Sequence, residues 1–84
     1  MAYIVDTKEL RKAMIEKDML KIDDLSKATG VNRNTISEVV NGKIYPSSTV
    51  MGKIGTALDF SEKDMGKVFF KLISDNSKKT KEDL

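Results

Sequence analysis

Residues 25–42, LSKATGVNRNTISEVVNG, constrain the fold of this chain more than any other stretch. Small and apolar side chains at Leu25, Ala28, Val31, Ile36 and Val39 recur at helical spacing on both sides of Gly30. A glycine there permits the left-handed backbone in which a helix can end on a sharp reversal. Asn32 is a good cap for the helix that follows. The stretch predicts two short helices joined by a tight turn, with Arg33, Asn34, Ser37 and Glu38 facing outward on the second. That is the sequence form of a helix-turn-helix, whose second helix enters the major groove of DNA.

With 84 residues the chain is sized for one domain with a small core and no sizeable enclosed pocket. It contains neither cysteine nor histidine. Disulfides, thiolate metal sites, the commonest general base and the commonest metal ligand are thereby removed. No acid pair or glycine-rich phosphate loop stands in a catalytic context, so an enzyme is not expected, and no metal, cofactor or small-molecule ligand is implied. No apolar run approaches a membrane span and no secretion signal opens the chain, so a cytoplasmic protein is the expectation. The net charge of +2 does not by itself announce a nucleic-acid ligand. The placement of the charges carries the argument.

Apolar periodicity and caps place five helices. The first starts at Asp6, with Glu9 completing a capping box and Val5 set to staple against Leu10. It buries Leu10, Ala13 and Met14 and fades near Lys17. Leu20 introduces the second, which stops at Gly30; Lys21 is a poor cap there, partly offset by Asp23 and Asp24 at the positive end of the helix dipole. The third spans about Arg33 to Val40 and buries Ile36, Val39 and Val40. The loop NGKIYPSS follows, and the fourth helix begins after Ser47 or Ser48 with Val50, Met51, Ile54, Ala57 and Leu58 at helical spacing. Gly52 and Gly55 share one face of it, which predicts either close approach of a neighbour or a loosened helix. The fifth starts at the Ser61 cap with Asp64 three residues on, and its stripe is Met65, Val68, Phe69, Leu72 and Ile73.

Residues 1–73 form the expected domain and the polar residues 74–84 a mobile tail. Residues 1–5 suit a short strand or an extended arm. Nothing basic precedes Lys8, so packing on the domain is favoured over an arm in the minor groove.

Leu20, Leu25, Gly30, Val31, Asn32, the helix from Arg33 to Val40, Asn41-Gly42 and Pro46 stand in the order and spacing of a known group. In these residues the chain resembles the Cro/CI repressor-like helix-turn-helix regulators, the XRE family. The likeness runs over about residues 7–73, and the ending KVFFKL is similar to small regulators of phages and mobile elements of Gram-positive bacteria. The resemblance implies an all-α, five-helix, lambda-repressor-like fold with the helix-turn-helix at helices two and three. It also implies a transcriptional repressor that binds a palindromic operator in double-stranded DNA as a homodimer. Ile22 departs from the family, which often carries there a glutamine that contacts a phosphate and buttresses the reading helix.

Phosphate contacts supply affinity, and side chains reaching base edges supply specificity. Arg33 can fork onto guanine, a contact worth about 1–3 kcal/mol of discrimination. Asn34 has the donor and acceptor that adenine requires, and Thr35 can offer a methyl to thymine or a hydroxyl to the backbone. Ser37 shares this face, and Glu38 can accept from cytosine or stand at the rim. The candidate phosphate contacts are Lys21, Asn32, Asn41, Lys43, Tyr45 and Ser47. Each has a plainer alternative: a solvated helix face for the polar ridge, a helix stop for Asn41-Gly42, core packing for Tyr45.

Phe70 lies on the flank of the fifth helix's apolar stripe, and together with Ile73 it is the candidate dimer contact. Coverage by the N-terminal segment is the alternative. A competing function is an antitoxin-like or protein-interaction module on the same fold with weak or no DNA binding.

Overall fold

The computed structural model describes residues 2–73. The expected mobile tail at 74–84 lies outside them. Five helices follow one another: α1 (Thr7–Glu16), α2 (Ile22–Thr29), α3 (Arg33–Val40), α4 (Ser48–Ala57) and α5 (Glu62–Phe69). Two short strands, β1 (Tyr3–Ile4) and β2 (Lys71–Leu72), pair antiparallel with Tyr3 opposite Leu72 and Ile4 opposite Lys71.

The caps explain where the helices begin. The side chains of Asp6, Asn32, Ser47 and Ser61 accept from the amides of Glu9, Asn34, Val50 and Asp64. Each supplies an acceptor to a donor that the first helical turn leaves without one. At Ser61 the box is reciprocal, because Asp64 Oδ2 accepts the Ser61 amide at 3.0 Å. That backbone bond, then the Ser61 hydroxyl, holds the Asp64 carboxyl below the usual aspartate range. Lys21 offers no side-chain acceptor to α2, but Asp24 Oδ2 reaches back to its amide at 3.1 Å.

Behind the caps lies a single apolar core. Leu10 from α1, Leu25 from α2, Ile36 and Val39 from α3, Ile54 from α4 and Phe69 from α5 are all fully buried. Helix α2 packs on α3 and α4, while α1 packs on α3 and α5, so α3 is clamped along its apolar face. Gly55 is buried against α5, and a Cβ there would stand 2.7 Å from Met65 Sδ. Gly52 faces open space. Only one of the two glycines therefore serves close approach.

The sequence expectation fails at four places. The apolar stripe of the fifth helix continues through Leu72 and Ile73, yet α5 ends at Phe69. In a longer helix the amides of Leu72 and Ile73 would bond to the carbonyls of Val68 and Phe69. Here those carbonyls accept from outside the helix instead: Val68 from the amide of Asp6 at 2.7 Å, and Phe69 from the Tyr45 hydroxyl. The chain turns out of the helix and pairs with β1 instead. Glu9 does not close the box at Asp6, whose amide donates to Val68 O instead. Leu20, ahead of α2, is 71% exposed, and Met19 packs against the core beside it. Ala28, expected inward, is exposed on α2.

Candidate nucleic-acid interface

The turn between α2 and α3 is fixed by its own polar groups. Gly30 has φ 74°, and its amide donates to Ser26 O at 2.8 Å. The Ser26 hydroxyl donates to Val31 O at 2.7 Å, and the Val31 amide to Thr29 Oγ1 at 3.1 Å. A left-handed residue at this point lets the chain reverse within two residues. The start of α3 is thereby set rigidly against α2.

Helix α3 has one buried side and one open side. Ile36, Val39 and Val40 are buried. Arg33, Asn34, Glu38 and Asn41 are exposed, with Ser37 half-buried among them. Spacings of one, four, five and eight residues put these five on one face. Thr35, also half-buried, sits on its flank.

Polar bonds order this face. The guanidinium Nε of Arg33 donates to Asp23 Oδ1 on α2. At the other end, Asn41 Nδ2 donates to Ser37 Oγ at 3.3 Å, and Asn41 Oδ1 accepts from Arg11 of α1. Arg11 thus brings a cation to the C-terminal end of α3 from 30 residues away. Sequence reasoning missed it. The available signal was its place directly after Leu10, the fully buried residue of α1, on the shoulder nearest the neighbouring helix.

The candidate phosphate contacts surround this ridge. Lys21 stands exposed before α2, and Asn32 caps α3 with its side-chain oxygen. Lys43 is exposed beyond α3, its amide bonded to Glu38 O at 2.8 Å. Gly42 beside it has φ 73°, and Thr7 Cγ2 lies 3.1 Å from where a Cβ would be. Ser47 Oγ accepts from the Val50 amide at 3.2 Å, which leaves its hydroxyl proton available at the start of α4. Tyr45 is different. Its hydroxyl donor is spent on Phe69 O, and desolvation followed by the proximity of Tyr3 raises its pKa above the usual tyrosine value.

Phe70 and Ile73 group with the N-terminal strand. The Phe70 ring meets Tyr3 edge to face at 5.3 Å, and the Ile73 amide donates to Ala2 O at 3.2 Å. Tyr3, Phe70, Leu72 and Ile73 nevertheless remain 42–48% exposed.

Among the described residues no cluster of carboxylates converges on a metal-sized site, and no helix is long and apolar enough to cross a membrane. A family model, that of the Cro/C1-type HTH DNA-binding domain, matches residues 9–67. The match covers more than half of the chain and takes in α2, the turn and α3. No curated protein and no solved structure matches the chain significantly.

Proposed function

The chain belongs to the Cro/C1-type helix-turn-helix DNA-binding family, and from that membership we propose that it is a sequence-specific repressor of phage or mobile-element type, acting as a homodimer on a palindromic operator. The observation that carries the reading is the two-sidedness of α3: Ile36, Val39 and Val40 are buried, and Arg33, Asn34 and Glu38 stand exposed. In this role α3 lies in the major groove and presents Arg33, Asn34, Thr35, Ser37 and Glu38 to base edges.

Lys21, Asn32, Asn41, Lys43 and Ser47 hold phosphates on either side, with Arg11 added to them. Tyr45 contributes its ring edge, or its hydroxyl once released from Phe69. Phe70 and Ile73 form the dimer contact, supported by the apolar surface they share with Tyr3 and Leu72. Two copies related by a two-fold axis would meet half-sites about one helical turn apart or a multiple of it.

Selection from a random duplex pool tests this directly. Enrichment of a site with dyad symmetry is the expected result, and a pool that stays random overturns it. One observation favours the protein-interaction alternative: Ile15 and Leu20, 59% and 71% exposed, flank a groove of about 250 Å³ that Met19 and Ile22 also line. A random pool would favour a partner protein seated in that groove.

A further inference from the structure

We propose that Asp23 is a positioning residue for base readout: its carboxylate holds the Nε–H of Arg33, so that only the two Nη groups of the guanidinium are presented to the groove. The inference rests on the reading of Arg33 as a base-contacting residue.

Asp23 is the second residue of α2 and Arg33 the first of α3. The hydrogen-bonded turn at Gly30 joins the two helices, and fully buried Leu25 and Ile36 anchor them. The carboxylate therefore occupies a fixed place relative to the reading helix. The other acid of that turn is unavailable, because Asp24 Oδ2 is turned back onto the Lys21 amide at 3.1 Å. Ile22 has no polar group to offer. Asp23 alone in this turn is placed to hold the arginine.

The pair has little to do with holding the fold together. Its side chains are 63% and 53% exposed, and ion pairs in that setting contribute little to folding. Its consequence lies in the arginine. A guanidinium carries five N–H donors in a rigid planar fork and can meet guanine O6 and N7 either side-on, through Nε and one Nη, or end-on, through both Nη groups. With Nε committed to Asp23, the side-on approach is closed and the end-on approach is held ready, with less side-chain freedom left to lose. The carboxylate acts a second way. Where Arg33 meets no guanine, the negative charge of Asp23 stands near phosphates and opposes binding. Both effects widen the gap between the cognate site and random duplex.

The test is a double-mutant cycle on the duplex that wild-type protein selects from a random pool. Binding of the wild type, Asp23→Ala, Arg33→Ala and the double variant is measured against a panel of single-base-pair changes and against random duplex. Asp23→Ala is expected to lower the preference for guanine at one position by about fivefold or more, the lower end of what a forked arginine contact supplies. It should also tighten binding to random duplex, and should change the guanine preference no further once Arg33 is alanine. If Arg33→Ala removes the preference and Asp23→Ala leaves it intact, the positioning role is overturned while Arg33 remains a base reader. If Arg33→Ala leaves every position of the panel unchanged, the reading of Arg33 fails and this inference fails with it.

Discussion

The hydroxyl of Tyr45 donates to the carbonyl of Phe69, the acceptor that the amide of Ile73 would take if α5 continued. One side chain from the loop after α3 thus helps to end the last helix and to send the chain into β2. The loop carrying Lys43 is tied in this way to the end of α5, directly before Phe70.

Tyr45→Phe removes that donor and leaves a part-buried carbonyl without it, at a cost of about 1 kcal/mol. In a domain of this size the melting temperature should fall by about 4–8 °C. The pH dependence is specific to the phenol. The folded state raises the Tyr45 pKa, first by desolvation and then through Tyr3. It therefore favours the protonated form, and the stability so contributed is fully present below the unfolded tyrosine value of about 10. It is lost as pH rises through the higher folded value. Urea melts from neutral pH into the alkaline range should show wild type falling faster than Tyr45→Phe; parallel curves would show that the phenol is not held in this way.

Gly52 and Gly55 should respond unequally to the same substitution. Each costs α4 about 1 kcal/mol in helix propensity relative to alanine. A Cβ at Gly52 meets nothing within 4 Å, so Gly52→Ala should gain most of that amount. A Cβ at Gly55 would stand 2.7 Å from Met65 Sδ, with Phe60 Cβ at 3.8 Å behind it. Met65 must shift to admit that Cβ, which offsets part of the gain, so Gly55→Ala should be less stable than Gly52→Ala. Thermal melts of the two variants decide it. Equal stabilisation would mean that Met65 swings aside freely.

The parts of this fold that sequence made legible are those governed by neighbours in the chain. The Asn32 and Ser61 caps, the Gly30 stop and the Ile36, Val39 and Val40 stripe each depend on residues within four positions, and α3 spans Arg33–Val40 as the pattern predicts. What local patterns cannot register is competition from distant groups. Leu72 and Ile73 keep the helical period, but Asp6 and Tyr45 bond to the carbonyls a longer helix would offer them. Leu20 and Met19 are both apolar, and only the path of the turn after α1 decides which of them packs inward. The bonds from Arg33 to Asp23 and from Arg11 to Asn41 span ten and 30 residues. They shape the candidate interface without leaving any periodicity to read.

Arg33 and Lys43 should separate readout from attachment. Lys43 is exposed just beyond α3, and a lysine on a phosphate contributes to every sequence alike. Lys43→Ala should weaken binding to the selected site and to random duplex together, and reduce the salt slope by about 1. Arg33→Ala should cost about 1–3 kcal/mol on the selected site and much less on random duplex. Salt titrations on both duplexes measure the two effects. Identical losses for the two variants would remove the distinction between reading and anchoring residues.

Phe70 provides the test of the proposed dimer. Its ring packs edge to face on Tyr3 yet stays 46% exposed, so the N-terminal strand covers it only in part. Losing the contact with Tyr3 should cost about 0.5–1.5 kcal/mol, little enough for the domain to remain folded. A glutamate there would bring two like charges together across a two-fold axis in an otherwise apolar patch with Tyr3, Leu72 and Ile73. Phe70→Glu should therefore give monomers in sedimentation at concentrations where wild type is dimeric, and weaken operator binding through lost avidity. Circular dichroism should stay helical. Unchanged sedimentation would remove this surface from the dimer contact.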